Sequence, residues 1–510
     1  MNKLTDLEYL KLSKFQKFIY NLKSFFLSIP EKIVNLFKKI GRFFLLVFSK
    51  IGLFFKNIYT TFKNGDWKTR TSYFVMGFGN IARGQVFRGL LFFIFELVFI
   101  FYMIFVGVGW LSQLGSLGDV ARVTVTETII VGGIPIESEA VIYVDNSFKI
   151  LLYSLLTFFF IIAFVVTWYL NIKQNKIAQQ ILASGKKLKS AKDDFRSLLD
   201  DQFHKTLLAL PLLGIIIFTV LPIIFMILVA FTNFDGSTHN PPFNLFDWVG
   251  FDNFEKLLTW DNGSASFAAT FGEVLTWTII WAFFATFTNY FLGMLVAMLI
   301  NKKGIRLKKV WRTILVMTIA VPQFISLLYV GKMFAQNGII NGLLLSLGWI
   351  DAPIGFFLKP DLARITVIII NIWVGIPYLM LIATGVLMNI PQDLYESAKI
   401  DGANTFQMYT KITLPYMLFV TGPFLLTSFI GNMNNFNVIY LLTGGGPDIL
   451  SNNAGSTDLL ITWLYSITME NNQRYYLASV IGIAVFVIVA VLSLIVYNAM
   501  PSIKNEEDFQ

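Results

Sequence analysis

The stretch YESAKIDGANTFQMYTKITLP, from Tyr395 to Pro415, sets charge, amide groups and a glycine between two long apolar runs. Its reading decides the fold. Ile390-Pro391 closes the run before it, and proline suits the first turn of a new helix, where no backbone donor is needed. Asp393 and Glu396 then fall near that helix's positive end, where carboxylates are favoured. Gly402 suits a left-handed helix terminus, and Asn404 caps a second short helix carrying Phe406, Tyr409 and Ile412. Pro415 starts the next apolar run. A chain reversal needs only a few residues, so an elbow of about twenty is a lever suited to rocking its two neighbours when a partner grips it.

The neighbours are membrane spans. The 510-residue chain is 55% hydrophobic and 14% charged, with a mean hydropathy of +0.65, far from a soluble composition. A helix crosses about 30 Å of hydrocarbon with about twenty apolar residues. Eight such runs are expected, near Gly89 to Leu111, Ile150 to Leu170, Thr206 to Phe231, Val274 to Ile300, Thr313 to Phe334, Ile365 to Ile390, Tyr416 to Leu442 and Tyr475 to Ala499. The seventh holds Pro423 and the asparagines of GNMNNFN, which are tolerated at that depth only against protein or water. With both termini in the cytoplasm, 33 of the 40 Lys and Arg fall on the cytoplasmic side, the asymmetry that orients spans.

Residues 1–70 carry 14 Lys and Arg against 4 acids, a net +10, and the other 440 residues carry 26 against 27. Ile33, Phe37, Ile40, Phe44, Val47, Ile51 and Phe54 recur in helical steps with Lys38, Lys39, Arg42, Lys50 and Lys56 between them. This basic amphipathic N-terminal extension reads either as a helix at the inner-leaflet surface, drawn to anionic membrane lipid, or as a helix packed on the rest of the protein; a true span from Phe43 to Phe55 would be short and would hold Lys50. Residues 71–205 follow as two spans with an external loop and a cytoplasmic connector, 206–500 as a six-span core and 501–510 as a cytoplasmic tail. In the external loop, VTVTETIIVGG has the β-branched character of a small hairpin.

Several chemistries are excluded. There is no cysteine, hence no disulfide, iron–sulfur or zinc–thiolate site. SGKKLKS at Ser184 lacks the upstream glycine of a phosphate-cradling loop. His204 and His239 lie on opposite sides of the membrane, so no metal site or cofactor is expected. Glu96 is the lone intramembrane acid, and it reads as a helix-packing partner, as a protonated neutral group or as part of an ion path.

Glu396-Ser397-Ala398, three residues, Gly402, nine residues and Ile412-x-Leu414-Pro415 together resemble the E-A-A-x3-G-x9-I-x-L-P motif of binding-protein-dependent ABC importer permeases, with Ser397 in place of the first alanine. Asp401 and Ala403 flank the glycine. NIWVGIPYLM, NIPQDLYESAKIDGA and NNFNVIYLLTGGGPD resemble the maltose and maltodextrin branch, the MalF-like subunit. The resemblance is close from about Trp281 onward, collinear but looser before it, and absent from the N-terminal extension.

That resemblance implies an all-α integral membrane protein of eight transmembrane helices with the type I ABC importer permease fold. The segment 396–415 would be a coupling helix docking in an ATPase cleft. It implies a non-enzymatic subunit of the bacterial cell membrane whose partners are a second homologous permease, two cytoplasmic ATPase subunits and an extracellular sugar-binding protein. No nucleic acid partner is expected. A maltodextrin-like oligosaccharide would be held midway through the membrane by Asn371, Val374, Gly375 and Tyr378 of the sixth span and Ser428, Gly431 and Asn432 of the seventh.

Amides and hydroxyls suit sugar hydroxyls, and a tyrosine face suits a sugar ring. The four sixth-span residues share one helix face, although polar residues in spans also serve as helix glue. Gly431 stands where the family pattern has an aromatic, and Thr232 to Glu273 is a short loop where the enteric version has a large external domain. Two alternatives stay open: a permease for another sugar or a glycerol phosphate, and a membrane scaffold or lipid-handling protein.

Overall fold

The computed structural model describes residues 49–499 apart from 121, 132–133, 240–244, 260–265, 303, 448–451 and 470–472, together with 13, 16, 38, 41–42 and 45–46. Most of the N-terminal extension, including Ile33, Phe37, Ile40, Phe44 and Val47, lies outside the described residues, as does the 501–510 tail.

Seven helices are long and apolar enough to cross a bilayer: Val86–Gln113, Ser147–Ala183, Phe203–Val229, Phe267–Asn301, Pro360–Leu387, Thr405–Thr443 and Tyr475–Asn498. The expected fifth span is instead a bent pair, Lys308–Ala320 and Gln323–Met333, meeting at 93°. The cause is Val321-Pro322. A residue before proline is pushed out of the helical region, and Val321 accordingly has ψ 125. Outside the membrane helices, Arg122–Val131 and Ile134–Tyr143 form the antiparallel hairpin that the β-branched loop foreshadowed, with Arg122 opposite Tyr143.

The chain divides into two compact units. The first comprises Met1–Gly109 with Leu156–Gly214. Its polar centre is the buried Arg83, which donates to Asp66 and to Asn175 Oδ1. Asn171 Oδ1 accepts the Gly77 amide at 3.0 Å and Glu96 accepts the Met76 amide at 2.8 Å. Glu96 therefore closes a backbone group of a neighbouring turn, which is the packing role weighed for it in the sequence. Burial raises the Asp66 pKa, but hydrogen bonds from Thr69 and the Arg83 charge outweigh it, and the carboxyl ends below its usual 3.8.

The second unit comprises Trp110–Leu155 with Ile215–Gln510. Trp277, Trp281, Leu327, Val367, Ile370, Val438 and Ile439 make its outer core. Met294, Ala297, Met380, Ala383 and Met417 make another where the fourth, sixth and seventh spans pack together. Gly293 lets these helices close, because a methyl there would run into Leu379, the use small residues have in membrane helix packing. At the outer end, Arg364 donates to the Ser456 carbonyl at 2.7 Å and lies 5.0 Å from the Trp277 ring centre.

The quoted stretch forms the elbow. Its first arm is Gln392–Ile400, starting after Pro391 with Asp393 in the first turn. Pro391 is the cap and not the first helical residue, and Glu396, the fifth residue of the helix, lies past the first turn and not at the positive end. Gly402 has φ +78, the left-handed value that favours glycine. Asn404 caps the second arm through a reciprocal pair with Gln407, at 2.8 and 2.9 Å.

That second arm is the start of the seventh span itself, and here the expectation is corrected. Helix Thr405–Met408 passes through a wider turn, Tyr409–Thr413, into Leu414–Met433. The Leu414 amide reaches back to the Tyr409 carbonyl, an i→i+5 bond that accommodates the missing donor of Pro415 without ending the helix. Tyr395 and Thr413 hydroxyls, 2.9 Å apart, tie the two arms together.

Candidate functional site

Between the packing clusters of the second unit is a cavity of about 260 Å³. The sixth span supplies Asn371, Val374, Gly375, Tyr378 and Leu379, and the seventh supplies Phe424, Leu425, Ser428, Asn432 and Asn435. The fourth span adds Ala285, Thr286 and Asn289, and the bent fifth adds Gln323. Six of the seven residues marked in the sequence thus face one space. Gly431 does not line it.

Each position has a local cause. The sixth span keeps its helix through Pro377, so residues at spacings of three and four stay on one side. The seventh breaks at Asn434, after which Asn435 accepts from the Val438 amide and restarts the helix at Phe436–Thr443. In the fourth span a wide turn, Phe284–Thr288, interrupts the regular helix beside Thr286 and Asn289, a distortion frequent at functional sites.

The side chains divide by what they do. Asn432 is engaged in the scaffold: its Nδ2 donates to Thr286 Oγ1 at 2.9 Å, its Oδ1 accepts from Asn435 at 3.3 Å, and its carbonyl accepts from the Trp281 indole at 3.1 Å. Gly375 gives room to a neighbouring residue. A methyl at this position would collide with the Asn289 amide, so the close approach the glycine allows is that of Asn289. Asn289 Nδ2 donates to the Asn371 carbonyl at 3.4 Å, and its buried Oδ1 has no partner among the described residues.

Asn371, Tyr378, Ser428 and Gln323 have no side-chain hydrogen bond among the described residues, and all four face the cavity. Tyr378 is 53% exposed, with Phe424 6.4 Å from its ring centre. The lining therefore offers amide and hydroxyl groups beside an aromatic face, with no Lys, Arg, Asp or Glu among the described residues. A neutral, hydroxyl-bearing ring compound suits such a surface.

Sequence reasoning missed Thr286, Asn289, Gln323 and Asn435. Asn435 was within reach, since GNMNNFN was already conspicuous. Gln323 is placed by the Pro322 break, and Thr286 and Asn289 by a helix distortion that leaves no mark in hydropathy.

The residues that the motif marks lie on the elbow. Glu396, Ser397, Asp401 and Gly402 are exposed, Ala398, Ala403, Ile412 and Leu414 are half-buried, and Pro415 is exposed at the arm's end. Leu394, Ile400 and Phe406 are 48, 87 and 72% exposed, an uncovered apolar surface on a polar segment.

Residues 289–505 match the model of the binding-protein-dependent transport system inner membrane component. A galactooligosaccharides transport system permease of Bacillus subtilis is 37% identical over 68% of this chain and 83% of its own. A maltodextrin transport system permease of Streptococcus pneumoniae is 32% identical over 85% of this chain and 95% of its own. One from Bacillus subtilis, also a maltodextrin permease, is 33% identical over the same two shares, 85% and 95%. With eight apolar spans if the bent pair counts as one, and with this extent of likeness, the chain belongs to the family of inner-membrane permease components of binding-protein-dependent transport systems.

Proposed function

We propose that this chain is the membrane subunit through which an ATP-driven importer passes a maltodextrin-like oligosaccharide. The observation that carries the reading is the cavity between spans six and seven, where Asn371, Ser428 and Tyr378 present unengaged polar groups beside an aromatic face. Sugar hydroxyls bond the amides and hydroxyls, and the ring's C–H face packs on Tyr378. The neutral lining supports a sugar over a glycerol phosphate, because phosphate recognition calls for Arg or Lys.

Hydrolysis belongs to partners. Two cytoplasmic ATPase subunits grip the elbow, whose Leu394, Ile400 and Phe406 supply an apolar surface for a cleft. The capped arm continues into the seventh span without a break, so a push on the elbow turns the helix that carries Ser428 and Asn432. A second, homologous permease completes the pathway, and an extracellular sugar-binding protein delivers the substrate. Both termini are in the cytoplasm.

A second reading, a galactooligosaccharide as cargo, is favoured by the 37% identity to the galactooligosaccharides permease. Uptake competition separates the two. Reconstituted with its partners, the chain takes up labelled maltotriose, and excess unlabelled maltodextrin reduces that uptake while excess galactooligosaccharide leaves it unchanged. The reverse order assigns the second reading, and no uptake of either sugar removes the proposal.

A further inference from the structure

The N-terminal extension reads as a lipid-seeking helix or as a packed one, and its described end does both on different sides. Residues 49–64 are helical, as are the described positions 41, 42, 45 and 46. At 100° per residue, Phe54, Ile58 and Thr61 share one side. That side packs within the first unit: the Phe54 ring lies 4.8 Å from Tyr169, the Ile58 carbonyl accepts from the Tyr73 hydroxyl at 2.8 Å, and Thr61 is 7% exposed. The next side, Ile51, Phe55 and Tyr59, is 44, 63 and 65% exposed. Lys56 and Lys63 flank that stripe on its far side.

The packing also fixes the level of this helix against the second span. Phe54 meets Tyr169, and ten residues later the Asn64 carbonyl accepts from Gln179. The two helices therefore run in the same direction over a rise of about 15 Å. Trp168 and Tyr169 close the apolar part of the second span and Lys173 and Lys176 follow, the aromatic-then-basic order of a cytoplasmic membrane surface. The Trp168 indole holds the Tyr73 carbonyl at 2.9 Å, and Tyr73 holds Ile58, so the whole assembly is referenced to that surface. Asn64 is on the cytoplasmic side, Phe54 is level with the aromatic belt, and the residues preceding it lead toward the inner leaflet.

We propose that the described helix 49–64 is a membrane anchor that inserts Ile51 among the acyl chains of the inner leaflet and lays Phe55 and Tyr59 along its interface, with Lys56 reaching anionic headgroups. Lysine stems extend along apolar surface while the ammonium stays at the interface. The net +10 of residues 1–70 supplies the attraction to anionic lipid. The occupant of the exposed stripe is lipid and not a protein, because its inner end, Ile51, is level with Val166 in the apolar part of the second span, and Phe55 is level with Leu170, just past Trp168 and Tyr169. The inference is independent of the transported substrate.

The chain has no cysteine, so single labels are clean. Full-length chain carrying Ile51→Cys, Phe55→Cys, Lys56→Cys or Asn64→Cys is spin-labelled and placed in vesicles of phosphatidylcholine with phosphatidylglycerol. The expected result is that labels at 51 and 55 collide more with oxygen than with a water-soluble nickel chelate, with 51 deeper than 55. At 56 and 64 that order is reversed. In phosphatidylcholine alone, the depth at 51 decreases. Labels at 51 and 55 that favour the nickel chelate, or that are shielded from both reagents as beneath a protein partner, overturn the proposal. An unchanged depth at 51 without anionic lipid overturns its electrostatic part.

Discussion

Gly375→Ala is the substitution that separates scaffold from substrate contact in the cavity. The added methyl enters the space of the Asn289 amide, so Asn289 must turn and lose its bond to the Asn371 carbonyl. Overpacking costs about 1–3 kcal/mol, and a buried amide without partners about 1–3 kcal/mol more. The gain in helix propensity returns about 1 kcal/mol. The net expectation is a loss of about 1–5 kcal/mol, or roughly fivefold to several thousandfold against this arrangement of spans four and six.

Asn289→Ala removes the obstacle. In that background Gly375→Ala should cost under about 1 kcal/mol, a coupling between the two sites within the range measured for residues in contact. The assay is thermal unfolding of the purified chain in lipid discs, run beside sugar uptake by the assembled importer. If Gly375→Ala is harmless to stability in the native background, or if Asn289→Ala rescues neither stability nor uptake, the glycine serves the substrate directly and the reasoning is wrong.

Other outcomes follow from the same structure. Gly402→Ala places a side chain at φ +78 and should cost about 1–2 kcal/mol locally, read as faster exchange of elbow amides. Asn404→Ala removes the cap and should cost about 1 kcal/mol, while Asn404→Ser should retain most of it. Tyr378→Ala should weaken sugar binding by roughly threefold to tenfold through lost ring contact, measured as a raised half-saturation in uptake. Glu96→Gln keeps an acceptor for the Met76 amide and should leave uptake unchanged, whereas loss of uptake would point to an ion path. For Asp66, a folded pKa held below 3.8 means its stabilisation is complete above that value and is lost as pH falls through the folded value. Asp66→Asn should therefore flatten the acid limb of the stability profile and leave neutral pH little changed in slope.

Much of this architecture is written in the chain at the level of single residues. Gly402 and Asn404 act at the elbow as their chemistry dictates, because turn and cap preferences are local. The face shared by Asn371, Val374, Gly375 and Tyr378 follows from helical spacing alone. Less legible were features that arise when backbone bonds are rearranged. Pro322 could be read as a possible kink, but the 93° turn at that point depends on how the two halves pack. Pro415 looks like a helix start in sequence and lies inside a continuous helix, because the wide turn at Tyr409–Thr413 accommodates it. Asn289 carries no periodic signal, and only its burial against Gly375 reveals its place.

The central claim is that the cavity carries the sugar and the elbow drives it. The most direct measurement is uptake of labelled maltotriose by vesicles containing the chain with a second permease, the ATPase subunits and the binding protein, comparing the native chain with Glu396→Lys and Tyr378→Ala. The account predicts ATP-dependent uptake in the native chain. With Glu396→Lys uptake and sugar-stimulated hydrolysis are both lost, and with Tyr378→Ala half-saturation rises while hydrolysis without sugar is unchanged. Full uptake with Glu396→Lys, or native vesicles that hydrolyse ATP in response to the loaded binding protein yet accumulate no sugar, would contradict it.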